Sequence, residues 1–86
     1  MKQIKTNAVH LKFNKEVIYA TDSQVEILSH MRNDPERRNN FVKVGNLTFS
    51  PNDISYIESQ SRESYDLPKY FLERHKKESS QLIKIK

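Results

Sequence analysis

Residues 41–58 read FVKVGNLTFSPNDISYIE, and they contain the only glycine of the 86-residue chain, Gly45. If Gly45 and Asn46 form a two-residue turn, the apolar residues on either side fall on one face of a hairpin. The pairs are Val44 with Leu47 and Val42 with Phe49, and the other face carries Lys43 and Thr48. Glycine at the first loop position suits a type II′ turn. The stretch therefore predicts a β-hairpin with one buried face.

The hairpin is followed by Ser50-Pro51-Asn52-Asp53, which has the form of a helix N-terminus. A capping residue, a proline at the first helical position and an acid in the first turn are typical of such a start. Ile54 and Ile57 are three residues apart, so one helical turn would place both on the core. A strand over ISYIE is the alternative, and we expect the helical turn.

Residues 59–66, SQSRESYD, are polar and predict a connector. A second helix is expected from Asp66-Leu67-Pro68 onward, with Tyr70 and Phe71 as its apolar contacts. Cations crowd the C-terminal half of this helix, where they complement the helix dipole. The final residues, LIKIK at 82–86, predict a short edge strand or a frayed end.

On the N-terminal side, Val9, Leu11 and Phe13 alternate with polar residues, which is the period of a half-buried strand. A turn at 14–15 would lead into the strand EVIYA at 16–20. A helix of about 10 residues should follow, because Thr21 and Ser23 are N-cap residues with capping-box partners at Gln24 and Glu26. Its apolar stripe is formed by Val25, Ile27, Leu28 and Met31, and Asp34-Pro35 should end it.

These elements predict an α+β domain with a small, mostly antiparallel sheet made from two hairpins. One helix would cover the sheet, and a basic helix would lie near the C-terminus. Residues 1–58 would form the compact core, and residues 59–86 the polar connector, the basic helix and the tail.

Composition excludes several classes of protein. There is no cysteine, so a disulfide framework and cysteine-based metal sites are excluded, and an intracellular protein is expected. Residues 1–13 hold no continuous apolar run, so we expect no signal peptide. No window approaches the length of a membrane span, and we expect a cytoplasmic protein without membrane contact.

The sequence offers no pattern of catalytic or metal-binding residues. The three histidines, His10, His30 and His75, share no ligand spacing, and no nucleophile elbow or glycine-rich phosphate loop is present. Asp53 and Glu58 are the nearest approach to an acid–base pair, and Asp53 is explained by its place in a first helical turn. We therefore expect no enzyme activity, no metal and no cofactor.

The segment PNDISYIES at 51–59 resembles the opening strand of the LytTR family of DNA-binding domains, in which an acid precedes an IxYIE strand. The match covers fewer than ten residues, and the later strands and base-contacting loops of that family have no counterpart here. In composition and in its order of hairpin, helix and hairpin, the chain resembles small accessory proteins of phages and mobile elements of low-GC Gram-positive bacteria. No residue role is carried over from either resemblance.

The chain carries a net charge of +4, and its basic surplus lies at both ends and in the loop 37–43. We predict a binding module, a regulator or inhibitor that meets a protein partner. The predicted partner-binding residues are Arg37, Arg38, Tyr65, Tyr70, Arg74, Lys76 and Lys77. Exposed tyrosine beside arginine is typical of protein interfaces.

Nucleic acid is the alternative partner. It would lie along a basic stripe of Lys2, Lys5, Arg37, Arg38, Lys69, Arg74, Lys76 and Lys77. A homodimer through the LIKIK segment or the second helix is compatible with either partner.

Overall fold

The computed structural model describes residues 3–13 and 15–84, with the side chains of 80–84 left aside. The strands are β1 (Gln3–Leu11), β2 (Val17–Ala20), β3 (Val42–Val44), β4 (Leu47–Phe49) and β5 (Ile54–Glu63). The helices are α1 (Asp22–Arg32) and α2 (Lys69–Lys84), and single 3₁₀ turns span Pro51–Asp53 and Ser64–Asp66. Two antiparallel sheets and two helices confirm the predicted α+β class.

The larger sheet has three strands in the order β2-β1-β5, so β1 lies in the centre. Val9 of β1 lies opposite Ile18 of β2 and Ile57 of β5. The first predicted hairpin is confirmed, but its strand ends at Leu11. Phe13, which the alternation placed on the buried face, follows the strand and is 89% exposed. The predicted turn at 14–15 includes Asn14, which lies outside the described residues.

Strand β1 is buried on both faces, although its sequence is polar. Four consecutive residues, Thr6 to Val9, are all buried. Asn7 is accommodated because its side-chain amide donates to the carbonyl of Ala20 at 3.2 Å and to the carboxylate of Asp22 at 2.9 Å. These bonds replace those that water would make, which makes a buried amide tolerable in the middle of a sheet.

The hairpin around Gly45 has the predicted register, with Val44 opposite Leu47 and Val42 opposite Phe49. Gly45 has φ +63°, whereas no non-glycine residue in the described chain has positive φ, so Asn46 fits the second position of a type II′ turn. The two predicted hairpins do not share a sheet. Strands β3 and β4 form a separate two-stranded sheet.

The prediction of a helical turn at Ile54–Ile57 is wrong. The proline-led turn exists but ends at Asp53, and Ile54 begins the ten-residue strand β5. Strand β1 is the cause, because it is long enough to pair with β5 from Gln3 opposite Glu63 to Leu11 opposite Ile54. Residues 59–63, predicted as a connector, belong to this strand, and residues 64–68 connect it to the second helix.

Helix α1 begins as predicted. The hydroxyl of Thr21 accepts from the backbone N–H of Gln24, and the Gln24 side chain accepts from the N–H of Thr21 at 3.0 Å, which completes the capping box. The helix is 11 residues long and ends before Asp34-Pro35. Of its apolar stripe, Leu28 is buried, whereas Ile27 is largely exposed.

Helix α2 begins one residue after Pro68 and continues through Lys84. The prediction of an edge strand at LIKIK is therefore wrong for residues 82–84, and residues 85 and 86 lie outside the described chain. Phe71 is 1% exposed, and Leu67, just before the helix, is also buried. No helix in the described residues is long and apolar enough to cross a bilayer.

The hydrophobic core joins both sheets and α1. Its buried members are Val9, Ile18, Ala20, Leu28, Val44, Phe49 and Ile54. Tyr70 packs against this cluster from α2. The core therefore fixes β2, the Gly45 turn and the start of α2 relative to one another, and these are the parts that surround the main surface cleft.

Candidate binding cleft

The cleft lies between β2, the Gly45 turn and the segment that leads into α2, and it has a volume of about 580 Å³. Its apolar lining comes from three separate parts of the chain: Val17, Ile18, Val44, Leu47, Leu67 and Pro68. Its polar lining comprises Glu16, Asn46, Asp66 and three tyrosines at 19, 65 and 70. A concave surface with an apolar lining and a few polar groups is typical of a binding site.

Tyr70 forms a fixed wall of the cleft. Its hydroxyl accepts a hydrogen bond from the backbone N–H of Tyr19 at 3.0 Å, which satisfies one outward donor of β2. Its ring packs against Gly45, where a Cβ atom would lie only 2.9–3.0 Å from the ring carbons. Burial raises the pKa of the Tyr70 hydroxyl, and the negative charge of Glu16 raises it further. The hydrogen bond from Tyr19 acts in the opposite direction and lowers this pKa, but by less than burial raises it. Tyr70 therefore reaches the cleft, but its contacts are mainly structural.

Tyr65 is placed differently. It lies on the 3₁₀ turn Ser64–Asp66, lines the cleft, and is 74% exposed. The neighbouring carboxylate, Asp66, also lines the cleft, and Glu16 contributes a second carboxylate from the chain just before β2. The cleft thus combines an exposed aromatic ring with two acidic residues, and no basic residue of the described chain lines it.

The predicted cations lie elsewhere. Arg37 and Arg38 lie in the loop after α1, where Arg37 approaches Asp34 at 3.6 Å and the Arg38 carbonyl accepts from the N–H of Asn52 at 2.9 Å. Arg74 donates to Glu78 of its own helix at 2.7 Å. Lys76 and Lys77 are exposed on α2. Of the predicted partner-binding residues, only the two tyrosines lie together in the cleft.

Glu78 docks the C-terminal half of α2 against the start of α1. Its carboxylate accepts from the hydroxyl of Thr21 at 2.9 Å, and Thr21 is the N-cap of α1. Burial opposes ionisation of this carboxyl, but hydrogen bonds from Arg74, Ser23 and Thr21 outweigh it, so the pKa of Glu78 is lowered. A carboxylate at a helix N-terminus is also favoured by the helix dipole.

Asp22, in the first turn of α1, has a lowered pKa as well. The hydrogen bond from Asn7 is the main cause, partial burial opposes it, and the charge of Lys5, 3.5 Å away, adds to the lowering. Two carboxylates at the start of α1 thus stabilise the fold in their ionised form.

We expect the protein to lose stability in acid through these two carboxyls. Because folding lowers both pKa values, the stabilisation is complete above their ordinary values of 3.8 and 4.5 and is lost as the pH falls through the folded-state values. The midpoint of urea unfolding should be lower at about pH 3 than at about pH 7. Glu78→Gln should reduce this difference, whereas Glu73→Gln, on the exposed face of α2, should leave it unchanged. An equal pH response in all three proteins would contradict the assignment.

Comparison with protein-family models, with curated proteins and with solved structures gave no match.

Sequence reasoning missed the two cleft carboxylates. In the sequence, Asp66 falls in the predicted connector and at the predicted helix start, and Glu16 falls in a predicted strand. Fifty positions separate them in the chain, so no local signal links them. Both residues line one cleft because the start of α2 packs against the edge of β2, where the Tyr70 hydroxyl accepts a hydrogen bond from the backbone N–H of Tyr19.

Proposed function

We propose that this chain is a small non-catalytic binding module, a regulator or inhibitor that holds a basic segment of a protein partner in the cleft beside Tyr65. The observation that carries the proposal is the exposure of the Tyr65 ring at a preformed cleft whose walls are fixed by the core. Tyrosine is enriched at interface hot spots because it offers a large, rigid contact area with a polar end.

The charge of the cleft supports a basic partner segment. A lysine or arginine side chain entering beside Tyr65 would meet the carboxylates of Glu16 and Asp66 and the face of an aromatic ring. Its aliphatic stem would pack on the apolar lining, since long basic side chains bury their stems while the charged end keeps polar partners.

The nucleic-acid alternative has weaker support. Seven cations of the predicted basic stripe lie within the described residues, and four of them lie 2.7–3.9 Å from a carboxylate: Lys5, Arg37, Lys69 and Arg74. Neighbouring acids reduce the positive potential that a phosphate backbone requires. The predicted basic stripe therefore has both positive and negative charges, which is more typical of a solvent-exposed surface than of a nucleic-acid-binding surface.

A phage-displayed library of random 12-residue peptides, panned on the immobilised protein, tests this function. We expect enrichment of peptides that carry lysine or arginine next to an apolar residue. Synthetic copies should bind the wild type and lose affinity by about tenfold or more on Tyr65→Ala, as is usual for hot-spot residues. Asp66→Asn should weaken binding of the same peptides.

Phe41→Ala is the matched control, because Phe41 is an equally exposed aromatic residue (76%) that does not line the cleft. It should leave peptide binding unchanged. Absence of enriched peptides, or binding that Tyr65→Ala does not weaken, would refute the proposal. Binding of a 20-nucleotide single strand with a steep salt dependence, unaffected by Tyr65→Ala, would instead support the nucleic-acid alternative.

A further inference from the structure

The two edges of the three-stranded sheet differ. At the β2 edge, Tyr70 of α2 accepts a hydrogen bond from the outward N–H of Tyr19. The other edge is β5, and within the described residues this strand pairs with β1 alone. An open strand edge presents unpaired N–H and carbonyl groups that can pair with another strand.

Strand β5 has few of the features that protect an edge. Its register irregularity is confined to the start, between Ile54 and Tyr56. From Tyr56 to Glu63 it pairs regularly with β1, and this part holds no proline and no lysine. Arg62 is the one cation of this part of the strand. Its guanidinium lies 5.4 Å from the centre of the Tyr19 ring on β2, so the Arg62 side chain extends across the sheet and away from the open edge. From Tyr56 to Glu63, the described chain therefore offers a regularly paired strand with no neighbour on its outer side.

Antiparallel geometry shows which backbone groups are open. The N–H of Tyr19 faces away from β1, so Tyr19 and Ala8, which lie opposite each other, form a non-hydrogen-bonded pair. Ala8 therefore directs its own N–H and carbonyl towards β5. Glu58, opposite Ala8, is then bonded to β1, and the backbone groups of the odd-numbered residues point outward. They belong to Ile57, Ser59, Ser61 and Glu63.

We propose that β5 pairs antiparallel with β5 of a second copy of this chain, with the two-fold axis at Ser59. The outward N–H and carbonyl groups of the odd-numbered residues then pair with those of the second copy. Ser59 lies opposite Ser59 of the second copy, and Ile57 lies opposite its Ser61. The three-stranded sheets merge into one sheet of six strands. The two-fold symmetry makes the contact closed, so the assembly stops at a dimer.

Side chains on the outer face select this register. With the axis at Ser59, Tyr56 lies opposite Arg62 of the second copy, and Glu58 lies opposite Gln60. A shift of the axis to Glu58 would set two glutamates against each other, and like charges directly opposite are unfavourable. A shift to Gln60 would place Ile57 opposite the carboxylate of Glu63. The register at Ser59 avoids both conflicts.

The dimer would leave the cleft free, because no residue of β5 lines it. The inference is therefore independent of the proposed function, and each can fail without the other.

Disulfide trapping tests the register, since the chain contains no cysteine of its own. Opposed residues of an antiparallel hydrogen-bonded pair have Cα atoms about 5.5 Å apart, within disulfide reach. Ser59→Cys should form a covalent dimer on mild oxidation with diamide. Ser61→Cys is the matched control, because a shift of four residues separates its two copies by about 13 Å. It should stay largely monomeric.

Sedimentation equilibrium tests the dimer without a disulfide. The wild type should show the mass of two chains. Ser59→Pro should show the mass of one with an unchanged circular dichroism spectrum, because its N–H points outward and proline is tolerated there on an edge. A wild type that stays monomeric up to about 1 mM would overturn the proposal. A dimer that survives Ser59→Pro, or equal trapping of both cysteine variants, would overturn it as well.

Discussion

Replacing Phe71 with alanine is expected to lower the free energy of unfolding by about 3–5 kcal/mol, the usual cost of deleting a fully buried aromatic side chain. Phe71 is 1% exposed and is the most buried of residues 69–79 of α2. A domain of this length has a total stability of about 4–13 kcal/mol. The variant should therefore lose a large part of the total stability, which a lower midpoint of urea unfolding, followed by circular dichroism, would show.

The matched control is Phe41→Ala, which makes the same chemical change at an exposed position in the loop before β3. Its cost should stay within about 0.5 kcal/mol, as for surface substitutions in general. If Phe71→Ala were as stable as Phe41→Ala, α2 would not be docked on the rest of the protein in solution.

The second large effect is expected from Gly45→Ala, which should cost about 2–4 kcal/mol. About 1 kcal/mol comes from placing a side chain at φ +63°, a conformation that glycine alone adopts freely. The remainder comes from the new Cβ atom, which would lie 2.9–3.0 Å from the ring of Tyr70. The ring cannot withdraw without losing the hydrogen bond between its hydroxyl and Tyr19, so the contact resembles overpacking of a core.

Urea unfolding of Gly45→Ala is to be compared with that of Asn46→Ala, which is a control for substitution in the same turn. Asn46 occupies the next turn position, is exposed and has a negative φ, so its replacement should cost little. A loss of about 1 kcal/mol or less for Gly45→Ala would mean that the turn geometry alone matters and that Tyr70 gives way.

The acidic cleft shows why sequence reasoning found only part of the candidate site. Tyr65 was singled out because a tyrosine stood among polar residues, and it is indeed exposed at the cleft. Tyr70 is predicted both as an apolar contact of the second helix and as a partner-binding residue, and its hydroxyl and ring are used within the fold. Whether an aromatic ring faces solvent or a neighbouring turn depends on contacts between residues 25 to 51 positions apart, which no local pattern contains.

The sequence by itself determined the parts whose partners lie within seven positions along the chain. The Gly45 hairpin, the capping box at Thr21 and the turn led by Pro51 are of this kind, because glycine, hydroxyl and proline chemistry act locally. The tertiary structure decided β5. Its residues Ile54 and Ile57 fit a helical turn and a strand almost equally well, and the long strand β1 selected the strand by supplying a hydrogen-bonded partner along its whole length. Such a choice depends on pairing between residues more than 40 positions apart, so it is made only when the chain folds.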